Sequence, residues 1–379
     1  MRPFLFGFQP SIDTAPFLPT ESAYHQVGDN TGNLAFCYAI DRLLGEGLAS
    51  TLWHTNPERL KTFGDVGVLT LANQLGPHAN LGYLNNSFRK IKDVSLVGIG
   101  LGAQAAPNQD RVEVPEGTLE WVRVIQERSP TSAPNIAVRG DFSMRVLEHY
   151  GLAEKAVATG CPTLFISPDR SLGQTIYQRF SPKMGRIAVT AGHQRWTHLA
   201  QLEASLVALS QCGGGAYICQ SPLEMVQIGR GEVHLLDPQS RDQCRAYTAP
   251  WMSNEEFINW SQRYACSFFS AAAWLEYLRR FDFVVGTRIH GVMLALQVGI
   301  PALCIVHDSR TTELCETMAV PYVKAQDHRL GITRDQLPSL FKFDPDAFDK
   351  NRVKRARIFA DFLRSNELVA APYLSGLAG

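Results

Sequence analysis

Residues 283–291, FVVGTRIHG, lead into an apolar run that ends at Val298 and then into Gly299-Ile300-Pro301, and this stretch decides the fold. It predicts a buried strand, a sharp turn, a helix that stops at a glycine, and the start of another strand. Arg288 and His290 then fall at the carboxyl end of a strand and the amino end of a helix. Ligands bind at this place in open α/β sheets, and helix N-termini favour anions. The stretch therefore predicts an anion site with one permanent cation and one proton-transferring side chain.

The alternation of strands and helices continues on both sides of this stretch. Apolar runs typical of strands buried on both faces lie at residues 66–71, 94–99, 135–138, 186–190, 216–219 and 302–306. Helical segments lie between them, such as residues 141–150, where we expect Asp141 to be the N-cap and Gly151 the stop. The pattern restarts after residue 185. Two such series predict an α/β fold with two doubly wound, Rossmann-like domains that face each other across a cleft.

The restart defines the predicted domain boundaries. We expect an N-terminal α/β domain at residues 1–182, a C-terminal α/β domain at 183–345, and a C-terminal helix and tail at 346–379. The helix, at residues 346–364, has apolar residues on one side and Arg352, Lys354, Arg355 and Arg357 around them. Such a helix could dock on the protein with a solvated basic face, which we favour, or touch a membrane surface.

Composition excludes several classes of protein. Lys and Arg total 36 and so do Asp and Glu, so the chain lacks the cationic excess of a general nucleic-acid binder. No run is long enough for a spanning helix, and the amino terminus does not resemble a signal peptide. The eight cysteines include no C-x-x-C pair, which favours buried thiols in a reducing compartment. We therefore expect a soluble, cytoplasmic protein, peripheral at most to the inner face of a membrane, whose oligomeric state the sequence leaves open.

Residues 285–301 resemble the most recognisable block of the polysaccharide pyruvyl transferases, a strand followed by G-T-R-x-H-G, an alanine- and leucine-rich helix and G-x-P. Similar pieces lie at residues 28–33, 72–74, 98–102, 138–140 and 307–314. The resemblance implies two domains arranged as in B-type glycosyltransferases. It also implies transfer of the enolpyruvyl group of phosphoenolpyruvate onto two hydroxyls of a saccharide, giving a cyclic ketal and phosphate. It assigns Arg288 to donor binding and His290 to proton transfer.

The chemistry of phosphoenolpyruvate fits these residue types. Its phosphate and carboxylate need several fixed cations, and the planar fork of arginine binds both groups bidentately. Protonation of the methylene carbon creates an oxocarbenium-like centre that a sugar hydroxyl can attack, and a histidine with a pKa near 6.5 can supply that proton. Gly291, at the start of the helix, would add backbone donors. Further donor-binding arginines are expected after strands, in the order Arg139, Arg310 and Arg195.

The acceptor saccharide, which can be lipid-linked, is expected to enter from the amino-terminal domain, in exopolysaccharide or cell-surface glycan modification. Candidate acceptor contacts are polar residues after early strands and turns, and one tryptophan that could stack on a sugar: Asp29, Asn30, Asn33, Asn73 and Trp196. The loop at residues 28–33 could equally be a left-handed turn. Asp308 could orient His290 or simply cap the next helix, and Glu313 could contact a hydroxyl.

Other functions remain open at this point. A B-type glycosyltransferase or sugar-nucleotide epimerase would share the two-domain plan, and a saccharide-binding protein without activity could have kept the fold. Gly98-x-Gly100-x-x-Ala103 fits a relaxed dinucleotide fingerprint, but residues 104–107 break the helix that should follow, so close packing of the backbone is favoured. The ten histidines form no metal-binding spacing, so we expect neither a metal nor a cofactor.

Overall fold

The structure, a computed structural model, describes residues 1–105, 109, 111–211 and 213–379. Two of the residues expected to break a helix, Ala106 and Pro107, and one cysteine, Cys212, lie outside the described residues. The other seven cysteines are free, and all but Cys266 are buried. None of the described helices is both long and apolar enough to cross a membrane.

The strands form two sheets, one from each half of the chain. In the first half they are β1 (Pro3–Phe6), β2 (Ser50–Thr51), β3 (Val66–Thr70), β4 (Ser95–Leu101), β5 (Ile136–Val138) and β6 (Ala156–Ala158). In the second half they are β7 (Ile187–Thr190), β8 (Ala216–Ile218), β9 (Ala265–Cys266), β10 (Phe283–Gly286), β11 (Ala302–Val306) and β12 (Tyr322–Lys324).

Each sheet has six strands, and every pair of neighbours in it is parallel. The order is β2-β1-β3-β4-β5-β6 in the first and β12-β11-β10-β7-β8-β9 in the second. In each sheet the strand order changes direction at the first strand of that half, β1 in one sheet and β7 in the other, as in doubly wound folds. The expected fold class, α/β with two Rossmann-like sheets, is confirmed.

Helices connect the strands and cover the sheets. Those of the first half are α1 (Thr20–Gln26), α2 (Asn33–Leu44), α3 (Leu60–Phe63), α4 (Gly82–Arg89), α5 (Glu116–Glu127), α6 (Asp141–His149) and α7 (Leu172–Arg179). Those that follow are α8 (Ala200–Gln211), α9 (Leu223–Gly229), α10 (Pro238–Thr248), α11 (Asn254–Tyr264), α12 (Ala271–Leu278), α13 (Ile289–Gln297), α14 (Ser309–Met318), α15 (Leu337–Leu340), α16 (Pro345–Ser365) and α17 (Pro372–Ala378).

All seven strands expected from apolar runs are present, with ends shifted by a residue or two. The helix expected at 141–150 is α6, but its N-cap is Gly140 and the Asp141 side chain lies one position inside. Gly98 and Gly100 lie within β4 itself, and a Cβ on Gly100 would approach the Leu71 carbonyl oxygen to 2.9 Å. These glycines therefore allow close packing and do not form a nucleotide-binding turn.

Helix α16 docks on the body of the protein. Its apolar residues Phe348, Phe359, Phe362 and Leu363 are buried. Arg352, which the sequence places on a solvated basic face, is fully buried, because it donates hydrogen bonds to the carbonyl oxygens of Leu164 (3.1 Å), Ser167 (2.8 Å) and Asp169 (2.6 Å). The docking alternative is therefore the one that the packing supports.

Candidate active site

Arg288 is the N-cap of α13, directly after the turn that leaves β10. This helix packs closely on β7, because a Cβ on Gly291 would lie 2.5 Å from Thr190 Cγ2. Gly291 is thus required for close packing at the start of this helix. The Arg288 side chain is buried, donates to Ser221 Oγ at 2.6 Å, and lies over the ring of Trp196 at 4.6 Å. Burial, with Arg310 nearby, lowers the pKa of Arg288 to about 10.

His290 follows in the first turn of α13 and is 6% exposed. Its ring lies 5.5 Å from that of Phe36 on α2, and Nε2 lies 4.0 Å from Cys161 Sγ. Burial, followed by the charges of Arg139, Arg310 and Arg288, holds the pKa of His290 well below its usual range. The ordinary pKa near 6.5 expected from the sequence is therefore wrong for the unliganded protein, in which the imidazole is neutral at pH 7.

Arg139 comes from the other half of the protein, directly after β5, and is 1% exposed. Its guanidinium lies 5.7 Å above the ring of Phe36, the same ring that contacts His290. Nε and both Nη atoms are buried and have no hydrogen-bond partner among the described residues. Burial lowers the pKa of Arg139 to about 10. A buried guanidinium with no acceptor is costly, so its presence here indicates a place for an anion.

Arg310 lies in the first turn of α14 and is 8% exposed. Its Nε lies 3.7 Å from Asp308 Oδ2. Asp308 caps α14 by accepting from the Thr311 amide at 2.7 Å, and although burial acts to raise its pKa, Arg310, His307 and the Thr311 hydrogen bonds hold it below its usual range. Asp308 thus contacts Arg310 rather than His290, and the capping alternative describes its geometry.

Glu313, one turn further along α14, joins the two halves beside this cluster. Its two carboxylate oxygens accept from the amide and the hydroxyl of Ser143 on α6, at 2.7 and 2.8 Å. A Cβ on Gly140 would lie 2.7 Å from Glu313 Cγ, so the backbone of one half approaches the side chain of the other. Burial raises the pKa of Glu313 against these hydrogen bonds and the charge of Arg139.

Trp196 forms an aromatic platform at the edge of the cluster. It lies beneath Arg288, 4.2 Å from the ring of His307 and 5.4 Å from that of His193. Burial lowers the pKa of both histidines to about 4, so neither is charged at neutral pH. The positive charge that lies over the Trp196 ring is the Arg288 guanidinium.

Several residues expected at the site have their contacts outside the arginine cluster. Arg195 is exposed, whereas the other three arginines are buried together. Asn33 is buried but donates to the carbonyl oxygens of Val27 and Gly28 in its own loop, so it holds the turn. Asp29 is exposed in a left-handed conformation and contacts His25 at 2.6 Å. Asn73 donates to Gln104, which lines a cavity together with His78 and Trp196.

The loop at residues 28–33 nevertheless covers the site. Asn30 Oδ1 accepts from the Gly32 amide at 2.9 Å, and the Thr31 amide donates to the backbone oxygen of Gln220 at 3.0 Å. A Cβ on Gly32 would lie 2.7 Å from Gln220 Oε1 and 3.5 Å from His290 Nδ1. Gly32 therefore lets this loop lie directly against the imidazole.

The structure adds residues that the sequence did not reveal. Gln220 and Ser221 follow β8, and Cys161 follows β6, so all three lie beyond strand ends. Glu203 is fully buried on α8, where its carboxylate accepts from the Gly192 amide (2.9 Å) and the Tyr217 hydroxyl (2.6 Å). Their positions after short strands, or within a leucine stripe, carried no signal in a single sequence.

Two cavities adjoin the arginine cluster, of about 640 and 1050 Å³. They share the lining residues Gln109, His198, His307 and Asp308, so they form one cleft. No three His, Cys, Asp or Glu side chains within the described ranges are grouped so that they could hold a metal ion.

Comparisons with known proteins support one family. The family model described as "Polysaccharide pyruvyl transferase" matches residues 30–309. Among solved structures, the chain is similar to the "S. aureus MnaA-UDP co-structure", with 9% identity and a TM-score of 0.45 over 97% of this chain and 98% of that chain. No curated protein matches the chain.

Proposed function

Because this chain belongs to the polysaccharide pyruvyl transferase family, we propose that it transfers the enolpyruvyl group of phosphoenolpyruvate to two hydroxyls of a saccharide. The product is a pyruvate ketal, and phosphate is released. The observation that carries the proposal is the buried cluster of Arg139, Arg288 and Arg310 around His290, with the Arg139 guanidinium unpaired among the described residues. Three buried cations at one place favour a small ligand with several negative charges, because an unpaired buried charge is costly.

The donor would supply the hydrogen-bond acceptors that the buried arginines lack within the described residues. A phosphate and a carboxylate together offer enough oxygen atoms for the N–H groups of Arg139 and for Nε of Arg288, none of which has a hydrogen-bond partner among the described residues. The start of α13 would contribute backbone donors to the same anion. Because Arg139 belongs to one half and the other two arginines to the second, the donor would bridge the halves.

Donor binding would also change the protonation of His290. Burial, followed by the charges of the three arginines, lowers its pKa in the free protein. A bound anion offsets the charges of the arginines, so the pKa rises and the imidazole takes up a proton. The resulting imidazolium can protonate the methylene carbon of phosphoenolpyruvate, which leaves an oxocarbenium-like centre at the neighbouring carbon. His290 would therefore become an acid only when the donor is bound.

The remaining steps conserve charge and atoms. One sugar hydroxyl attacks the cationic carbon and gives up its proton, which can return to His290. The carbon–oxygen bond to phosphate then breaks, and a second hydroxyl closes the ring and loses its proton to the departing phosphate. The arginines stabilise the phosphate as its charge grows.

The finer biological assignment belongs to the same proposal. The acceptor would be an exopolysaccharide or cell-surface glycan intermediate, modified on the cytoplasmic side of the membrane, where a lipid-linked form could be reached by peripheral contact. The apolar face of α16 is buried against the protein and would not take part in that contact.

Calorimetric titration with phosphoenolpyruvate tests the donor assignment. Wild type should bind saturably, and Arg139→Ala and Arg288→Ala should each weaken binding by about tenfold to a hundredfold, the range for lost charge-assisted hydrogen bonds. Arg364→Ala, which removes an exposed arginine on α16, is the matched control and should bind as wild type does. Absence of binding in the wild type, together with saturable binding of a nucleotide sugar, would refute the donor assignment.

A further inference from the structure

Glu203 is a fully buried acid among the buried leucines of α8, and the proposed mechanism does not use it. Burial raises its pKa, against hydrogen bonds from the Gly192 amide and the Tyr217 hydroxyl and against the charge of Arg288. A buried carboxyl group costs free energy that a leucine at the same position would not. The groups that it holds therefore indicate what this acid does for the protein.

The carboxylate of Glu203 holds the loop at residues 191–196, which follows β7. Its Oε1 atom accepts from the Gly192 amide at 2.9 Å and from the Tyr217 hydroxyl at 2.6 Å. Its Oε2 atom faces the Tyr247 hydroxyl across Gly192, because a Cβ on Gly192 would lie 2.5 Å from Oε2 and would clash with that hydroxyl. The glycine at this position therefore lets the acid on α8 reach the backbone of the loop.

The loop closes on itself and ends at Trp196. The Trp196 amide donates to the His193 carbonyl oxygen, and the Leu199 amide donates to the Trp196 carbonyl oxygen, both at 2.8 Å. Residues 197–199 form a single turn of 3-10 helix that leads directly into α8. The chain from Gly192 to Glu203 is thus a closed unit, joined where its two ends meet by the Glu203 side chain, with Trp196 between them.

Trp196 is the point at which this unit meets the arginine cluster. The Arg288 guanidinium lies 4.6 Å from the centre of the Trp196 ring and donates to Ser221 Oγ at 2.6 Å, so the ring and the hydroxyl together orient it. Nε of Arg288 is buried and has no hydrogen-bond partner among the described residues. The direction of that N–H group therefore depends on where Trp196 lies, and a displacement of about 1 Å at a binding group can cost about a hundredfold in rate.

We propose that Glu203 is a positioning residue for the donor: it fixes the 191–196 loop so that Trp196 supports Arg288 in the orientation that binds phosphoenolpyruvate. The inference rests on the proposed function for the identity of the donor, but not for the position of Trp196. Glu203 acts through Trp196 and Arg288, and it has no role in the bond-making steps.

Glu203→Gln and Glu203→Ala test this role by calorimetric titration with phosphoenolpyruvate. Glutamine keeps an oxygen that accepts from the Gly192 amide, so Glu203→Gln should bind the donor within about threefold of wild type. Glu203→Ala releases the loop, so the affinity of the folded protein should fall by about tenfold or more. Glu203→Asp, whose side chain is one methylene shorter, should weaken binding in the same direction and serves if Glu203→Ala does not fold.

Asp41→Ala is the matched control for the loss of a buried acid. Asp41 lies on α2 in the other half, is 7% exposed, and accepts from the amides of Gly47 and Leu48 at 3.0 Å each. Its removal should lower the free energy of unfolding, as that of Glu203 does, while the affinity for phosphoenolpyruvate stays as in wild type. An equal loss of affinity in both alanine variants would mean that destabilisation alone explains the effect.

The position of Trp196 is measured without any donor. Acrylamide quenching of Trp196, taken as the difference between each protein and its Trp196→Phe counterpart, should increase in Glu203→Ala and stay unchanged in Glu203→Gln and Asp41→Ala. Unchanged quenching in Glu203→Ala would overturn the proposal, and so would unchanged phosphoenolpyruvate affinity in that variant when wild type binds. Increased quenching in Glu203→Ala, combined with no phosphoenolpyruvate binding by wild type, would refute the donor assignment alone.

Discussion

Substituting Arg139 by methionine is expected to stabilise the protein in the absence of ligand while it weakens donor binding. The matched substitution is Arg352→Met, since the two arginines are almost equally buried, at 1% and 0% exposed. Burial lowers the pKa of each from 12.5 to about 10. They differ in their hydrogen bonds: Arg352 donates to three carbonyl oxygens, and Arg139 to no described acceptor.

The magnitudes follow from these contacts. A pKa that falls from 12.5 to about 10 corresponds to about 3 kcal/mol of unfavourable charge burial, at about 1.4 kcal/mol for each pKa unit, and this cost is present at every pH below about 10. Arg139→Met removes that cost, so the free energy of unfolding should rise by about 1–3 kcal/mol. Arg352→Met removes the same cost but leaves three carbonyl oxygens without a donor, at about 2 kcal/mol each, so a net loss of about 3 kcal/mol is expected.

Urea denaturation followed by tryptophan fluorescence measures both variants against wild type. A second series with phosphoenolpyruvate should shift the midpoint of wild type and of Arg352→Met upward, provided that the latter folds. At the same ligand concentration it should shift the midpoint of Arg139→Met much less, because stabilisation falls as affinity for the native state falls. Destabilisation of the unliganded protein by Arg139→Met would refute the reasoning, since it would mean that the guanidinium has an acceptor within the protein.

Three further outcomes are expected. Phosphoenolpyruvate binding should draw a proton onto His290, so the affinity for phosphoenolpyruvate should rise as pH falls from neutral. Calorimetry in two buffers of different ionisation enthalpy should show proton uptake by wild type that His290→Gln lacks, and equal proton uptake by both proteins would contradict the prediction. Gly32→Ala places a methyl group 2.7 Å from Gln220 Oε1 and 3.5 Å from His290 Nδ1, so turnover should fall by up to about a hundredfold with the circular dichroism spectrum unchanged; full activity would show that the loop yields freely. Glu313→Ala leaves the two Ser143 donors without their acceptor, so the free energy of unfolding should fall by about 1–3 kcal/mol. A double-mutant cycle with Ser143→Ala should show coupling between the two residues, and additive effects would mean that this contact does not join the halves.

The sequence predicted most of the scaffold because its central strands are apolar on both faces. Residues 283–306 form the expected strand, helix and strand, and they place Arg288 and His290 where the pattern put them. Five strands were not predicted: β1, β2, β6, β9 and β12. Strand β1 has four residues, and the other four have two or three residues each. All four lie at sheet edges or near them, where neighbouring strands rather than local propensity determine the pairing.

The site was predicted only where chemistry and local position coincide. Arg139 and Arg310 follow strands, and that rule identified them, but it selected the exposed Arg195 equally well. The low pKa of His290 arises first from burial and then from the charges of three arginines, of which Arg139 is about 150 positions away in sequence. A single sequence carries no measure of that proximity, and for the same reason it could not reveal Cys161 or Gln220.

The return of the carboxyl-terminal segment to the first half has a mechanical consequence. The chain passes from one sheet to the other between residues 158 and 187, and it comes back when Arg355 donates to the Ala158 oxygen, Asn366 to the Pro134 oxygen and the Ala371 amide to the Leu43 oxygen. Two connections between the halves define a hinge axis, whereas one connection does not. Rotation of one half about this axis is therefore easier than rotation about any other axis. Any opening that admits the donor would therefore separate Arg139 from Arg288 and Arg310 along one path, and closing would restore the same three-arginine geometry each time.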